Sequence, residues 1–122
     1  MSFKIHLKSD FYLLDFSKTV DKQLIMEAYS SLLKQSDFDR QTHTLWDFRE
    51  SLVDLSIQDI NEIANAVTSA GEQRSNRARS VFVVTDPSDT AILQTYVTAT
   101  AHYPVEFQIF DNYQKGVDWL VE

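Results

Sequence analysis

The chain reads as an α/β domain built on a mixed five-stranded sheet, with the element order ββαβαβαβα. Two observations predict this. Four times a run of β-branched and aromatic residues meets an aspartate and gives way to a polar, helix-like stretch: LLDFS at Asp15, LWDFR at Asp47, VVTDPS at Asp86 and QIFDNY at Asp111. A carboxylate in that place accepts the free N–H groups of a helix's first turn and sits at its positive end, so strand, aspartate, helix is the mark of a βα unit. The second observation is at the N-terminus, where Phe3, Ile5 and Leu7 alternate with Lys4, His6 and Lys8, and Phe11 to Phe16 returns after Ser9 and Asp10. That is a hairpin, and its first strand is expected to run antiparallel at or near an edge.

From Thr19 the period lengthens. Val20, Leu24, Ala28 and Leu32 fall on one stripe with Ile25, Tyr29 and Leu33 beside it, which predicts a helix to about Gln35, followed by a loop over Ser36 to Gln41. His43 to Phe48 is the third strand, and Ile57, Ile60, Ala64 and Val67 define a second helix that Gly71 can end in a left-handed cap. Arg79 to Thr85 is the fourth strand. Asp86 then stands at the N-cap, Pro87 at the first helical position and Asp89 at N3, so a helix carrying Ile92, Leu93, Tyr96 and Val97 runs to about His102. Pro104 introduces the fifth strand, Val105 to Phe110, and a last helix holds Tyr113, Val117, Trp119 and Leu120. Strands joined through helices are parallel with right-handed crossovers. Strands 2 and 4 are apolar on both faces, so helices or a partner subunit must cover much of the second face.

The 122 residues suit one domain, 1–122. With no cysteine there are no disulfides, thiolate metal sites or cysteine nucleophiles, which fits a reducing cytoplasm. No apolar stretch approaches the ~20 residues of a membrane span, and MSFKIHLKSD lacks the apolar core of a signal peptide. A net charge of −7 opposes a phosphate backbone, so nucleic acid is not an expected partner.

The segments RSVFVVTD and PVEFQIFDNYQKGVDWL, together with LWDFR at Leu45 to Arg49, resemble the bacterial SpoIIAA-like proteins, a group allied to STAS and SEC14-type domains. The resemblance covers roughly residues 11 to 121 in element order. It implies a sheet wound as a βα superhelix and a non-enzymatic regulatory or binding role. In STAS regulators a phosphorylatable Ser opens the helix after the strand similar to LWDF, in a context close to Asp-Ser-x-Gly. Here the matching stretch is ESLVDLSIQDI: Ser56 holds the place, Leu55 precedes it, Asp54 is one residue early and no Gly follows. Ser56 with Asp59 three residues on also satisfies a capping box, and both readings stand at this point.

Topology gathers Asp15, Asp47, Asp86 and Asp111 at the carboxyl ends of the parallel strands, where open α/β sheets bind ligands. Helix capping explains them, and so would an oxygen cluster for Mg²⁺ or Ca²⁺, although no D-x-D or EF-hand spacing is present. Arg49 either presents its guanidinium to an anion on this rim or pairs with Asp47 or Glu50. His6, His43 and His102 show no metal-ligand spacing. Lys34, Arg40, Arg74, Arg77 and Arg79 fall at the opposite rim with Lys8. There they complement helix C-termini, or Arg74, Arg77 and Arg79 form a site for an anionic ligand or an acidic partner.

Trp46, Phe48, Phe82, Phe107, Phe110 and Trp119 read as core. No G-x-S-x-G, P-loop or G-x-G-x-x-G is present, and no cofactor is expected. The functional expectation is a non-catalytic binding or regulatory module acting on a protein partner or on itself, with a small ligand also open. The homodimer would form through Phe3, Ile5, Phe11 and Leu13, where no helix follows in sequence. The alternatives are a small Mg-dependent enzyme using the aspartate rim, and a lipid or apolar-ligand domain through the SEC14-type relationship.

Overall fold

Alternation at the N-terminus becomes a hairpin of β1 (Phe3–Leu7) and β2 (Phe11–Val20), closed by a 2.8 Å bond from the Lys8 N–H to the Phe11 carbonyl, in a computed structural model that describes residues 3–35, 43–69, 78–103 and 105–122. There follow α1 (Lys22–Leu33), β3 (His43–Val53), α2 (Ile57–Ser69), β4 (Arg79–Val83), α3 (Pro87–Ala99), β5 (Glu106–Phe110) and α4 (Tyr113–Val121). The strands lie in the order β1-β2-β3-β4-β5, with only the first pair antiparallel, as the sequence predicts. The loop over Ser36 to Gln41, the Gly71 cap, Arg40, Arg74, Arg77 and Pro104 lie outside the described residues.

Right-handed crossovers between strands in sequential order must all pass over one side of the sheet. Ile25 and Leu32 of α1, Ile60 and Val67 of α2, and Leu93 and Tyr96 of α3 are accordingly buried against Trp46, Phe48 and Phe82 on one face. Every strand sends a ring to that face: Phe3, Phe16, Phe48, Phe82 and Phe107 form a row with successive centroids 6.0, 5.0, 6.3 and 5.7 Å apart. α4 follows the last strand and makes no crossover, so the rule leaves it free. It lies on the other face, where Leu120 is buried with Phe11, Leu13, Leu45, Val81 and Val83.

Two boundaries differ from expectation for one reason. Thr19 and Val20 belong to β2 rather than to α1, and β3 runs on past Phe48 to Val53. The two strands continue as a parallel pair beyond β4, whose ladder with β3 ends at Asp47, and Val20 and Val53 are both buried at the far end. Asp21 then caps α1 by accepting the Leu24 N–H at 2.9 Å. Inside this arm Asp15 pairs with Asp47 but Ser17 with Glu50, so Phe48 and Arg49 together face Phe16: a β-bulge on β3. The helix expected to reach His102 ends at Ala99 with Thr100 as its cap.

The apolar face expected at the N-terminal hairpin is not there. Phe3 pairs with Phe16 in the antiparallel register, so Phe3 and Ile5 join the helix-covered core, while Phe11 and Leu13 point to the opposite face. Phe3, Phe11 and Leu13 are 6%, 6% and 9% exposed and Ile5 is half-buried, so the four residues do not form the contiguous apolar surface through which a homodimer was expected. Phe3 is enclosed by the core under α1–α3, and Phe11 and Leu13 share a buried cluster with Leu120 of α4 on the second face.

Candidate functional site

The carboxyl-end rim brings together Asp15, Asp47, Arg49 and Tyr113. Asp15 and Asp47 are cross-strand partners on the face that carries α4, as the alternation Leu13, Asp15 and Leu45, Asp47 requires. Neither caps a helix, because both strands run on past them. Asp47 instead folds its carboxylate over its own chain: Oδ1 accepts the Arg49 N–H at 3.1 Å and the Arg49 Nε–H at 3.0 Å, and Oδ2 accepts from Arg49 Nη2 at 2.8 Å. A side chain that binds the N–H two residues on competes with the ladder, and the bulge occurs at that point. The Asp47 side chain is 8% exposed and that of Arg49 40%, so a buried carboxylate holds a half-exposed guanidinium by two parallel bonds.

The Arg49 guanidinium also lies 5.1 Å from the centre of the Tyr113 ring, within range for a cation–π contact. The bond to Asp47, foremost, strengthens the guanidinium's hold on its proton. Burial, above all, raises the Tyr113 phenol above its ordinary pKa, and the Asp47 charge adds to it. Tyr113 is at the first position of α4, whose cap is Asn112, accepting the Lys115 N–H at 3.0 Å. Asp111 precedes this cap and is exposed.

Of the four aspartates, only Asp86 caps a helix. It accepts the N–H groups of Ser88 and Asp89 at 2.8 and 3.0 Å at the start of α3. Among the described residues no three His, Asp or Glu side chains are grouped so as to hold a metal ion. Ser56 and Asp59 form the predicted capping box at α2, each side chain accepting the other's N–H at 3.0 Å. Ser56 is exposed.

At the amino-end rim Arg79 is engaged within the chain, while Arg74 and Arg77, with which it was expected to form an anion site, lie outside the described residues. Arg79 Nη1 donates to the Trp119 carbonyl at 2.7 Å, its guanidinium lies 4.9 Å from the Trp119 ring centre, and Nε is 3.7 Å from Glu106. A helix leaves its last carbonyls without partners, and Arg79 satisfies one of them for α4. His43 starts β3 at this rim as expected, its Nδ1 accepting the Arg79 N–H at 2.9 Å.

Sequence reading missed the role of Asp89. It is 5% exposed, and its Oδ2 accepts the Val53 N–H at 3.3 Å, so the start of α3 is tied to the edge of β3 where β4 has ended. Burial raises its pKa from 3.8, with the Asp86 charge adding to it and the Val53 N–H opposing. A carboxyl whose folded pKa is raised stabilises the fold fully below its unfolded value, and that contribution is lost as pH rises through the folded one. Asp89→Asn keeps an acceptor for Val53 and removes the charge. It is expected to raise the melting temperature at pH 7, and the gain should disappear by about pH 3.5, where the unfolded carboxyl is itself protonated. Thermal melts of both proteins across pH check this; an Asn variant less stable at pH 7 would show that the helix-dipole attraction outweighs desolvation.

No family model and no curated protein matches the chain. Among solved structures it is similar to an uncharacterized protein from the DUF3478 family of Shewanella loihica PV-4, described as having a SpoIIAA-like fold. The two share 15% sequence identity at a TM-score of 0.60, over 97% of this chain and 91% of that one. The likeness extends over nearly the whole chain, and the fold of this chain is SpoIIAA-like.

Proposed function

We propose that this SpoIIAA-like domain is a non-catalytic binding module of STAS type, which regulates a protein partner through its carboxyl-end rim. The observation that carries this reading is the Asp47–Arg49–Tyr113 assembly: a half-exposed guanidinium already fixed in place by a buried carboxylate and an aromatic ring. An arginine held in one geometry loses little further freedom when it is bound, and rigid arginine and tyrosine side chains are the usual anchors of protein interfaces. Asp47 occupies Nε and Nη2, and among the described residues no bond engages Nη1, which points the chemistry of recognition toward an acceptor on the partner. Around this anchor Asp15 and Glu50, with the net charge of −7, favour a partner face that is basic overall and contributes one carboxylate or carbonyl to Arg49. A cytoplasmic setting fits a chain without cysteine.

In host cells, a photo-crosslinking residue at Glu50 should join the chain to its partner, and Arg49→Ala combined with Tyr113→Ala should reduce that product at least tenfold. Lys8→Ala, at the other rim, should leave it unchanged. Crosslinks that form equally well in the double variant, or only from the amino-end rim, would sink the proposal.

A further inference from the structure

β5 is an open edge of the sheet. Among the described residues no strand lies beyond it, and its ladder is the parallel one with β4. The Glu106 N–H donates to the Ala78 carbonyl at 3.2 Å, and the Phe110 carbonyl accepts the Val84 N–H at 3.0 Å. Alternate residues of a strand turn their backbone groups to the same neighbour, so Glu106, Gln108 and Phe110 face β4, while Phe107 and Ile109 each turn an N–H and a carbonyl outward. Sheets guard such edges with lysine, proline or a bulge. At the opposite edge β1 carries the exposed Lys4, with Lys8 just past its end. β5 has none of these devices: EFQIF contains no lysine or proline, and its register with β4 is unbroken. Beside it lies an open groove of about 380 Å³ between the end of α3 and the start of β5, with Val97, Thr100, Ala101, Tyr103 and Phe107 among its walls. Ligand sites begin at about 300 Å³. The Tyr103 ring stacks on that of Phe107, with centres 6.3 Å apart, which fixes the wall next to the strand.

We infer that the β5 edge and this groove are a docking site for an extended peptide segment of a partner protein, which joins the sheet as a further strand beside β5. The outward N–H and carbonyl groups of Phe107 and Ile109 are matched in full only by another backbone, and an antiparallel segment does so with two residues spaced two apart. Its side chains then alternate between the two faces of the sheet. Those on the face of Phe107 and Ile109 meet the groove, where Val97, Ala101 and Phe107 favour an apolar side chain. Those on the other face meet Glu106, whose side chain is more than half exposed and is approached by Arg79 only to 3.7 Å; the exposed Asp111 follows the strand. With no basic residue from Glu106 to Asn112 and a net charge of −7, the complementary segment alternates apolar residues with lysine or arginine. This edge is two strands away from Arg49, and the inference is independent of the function proposed for that rim.

The probe is a library of random ten-residue peptides displayed on phage and selected on the intact chain. Enriched sequences should alternate apolar residues with lysine or arginine. The tightest of them, made synthetically, should slow hydrogen exchange at the Phe107 and Ile109 amides at least tenfold when it binds. Methylating one set of alternate backbone nitrogens in that peptide should weaken binding at least tenfold and methylating the other set should not, since only one edge of an added strand bonds to β5. Ile109→Pro removes an N–H that the ladder with β4 does not use, and Ala101→Trp fills the groove from an exposed position. Whichever of the two melts close to the parent should lower affinity at least tenfold, while Arg49→Ala should leave it unchanged. A library that enriches no sequence overturns the inference, as do peptides that bind the folded variant as tightly as the parent or tolerate both methylation patterns. So does slow exchange at Phe107 and Ile109 in the protein alone that grows with its concentration, which would give the edge to a second copy of the chain.

Discussion

Valine at position 116 is expected to destabilise the protein by about 3 kcal/mol and to lower its melting temperature by roughly 10 °C. Gly116 is a buried residue in the middle of α4, where the helix crosses β4 and β3. A Cβ there would lie 2.8 Å from Val81 Cγ1, 3.4 Å from Val83 Cγ2 and 3.6 Å from Leu45 Cδ1. The nearest of these atoms ends a short branched side chain inside a packed layer, so it has little room to give, and valine adds two more carbons in the same space. Glycine is the poorest helix former after proline, and replacing it recovers up to about 1 kcal/mol of propensity. Alanine should therefore come out near neutral and valine clearly negative. Removing the clashing methyl separates the two effects: Gly116→Ala should be more stabilising in a Val81→Ala background than in the parent. Circular dichroism melts of the parent, the valine variant, the two single alanine variants and their double variant read this directly, and a valine variant that melts within 2 °C of the parent would mean that α4 does not pack at this distance.

The strand and helix order was legible because each element carries its own period, and the βα rule turns that order into parallel strands. The placement of α4 was not. Its apolar stripe of Val117 and Leu120 says that it docks, but no strand follows to impose a crossover, and the crossover rule is silent on a terminal helix. The expected dimer face failed for a related reason. Phe3, Ile5, Phe11 and Leu13 are all apolar, and which of them share a face depends on the hairpin register, where a slip of one residue sends a side chain to the other side. With Phe3 opposite Phe16, the pairs Phe3, Ile5 and Phe11, Leu13 look in opposite directions. No composition argument separates them.

The candidate site was half legible. Asp15 and Asp47 do meet on one rim, because parallel register places them side by side. Their roles were misread, because an aspartate after apolar residues looks the same whether the strand stops there or bulges and goes on. The available signal was the spacing Asp47-x-Arg49: on one strand two residues apart, an acceptor and a bidentate donor can close on each other, with the backbone N–H as a third bond. Tyr113 could not be assigned to the group without knowing where α4 sits. Asp89 was assigned correctly to N3 of its helix, but its contact with Val53 depends on the overhang of β3 past β4, which no local pattern encodes.

Phe16→Ala is expected to cost about 4 kcal/mol, within the range of buried Phe truncations, and to lower the melting temperature by roughly 15 °C. Phe16 is 1% exposed and touches the rings of Phe3 at 6.0 Å, Trp46 at 5.8 Å and Phe48 at 5.0 Å, so its ring joins β1 and β3 through β2. It is also the residue opposite the bulge, with Phe48 packed on it while Arg49, next in the chain, goes to the rim. Truncation therefore removes a ring from the row and the support beneath the bulge together. A domain of this kind is stable by only about 5–15 kcal/mol, so a loss of that size consumes a large part of the total. Leucine retains most of the apolar volume and should cost no more than about 1.5 kcal/mol. Urea melts decide the point: the alanine midpoint should fall well below that of leucine with an unchanged slope. A loss under 1 kcal/mol for Phe16→Ala would mean that the ring row is not what clamps the hairpin to the rest of the sheet.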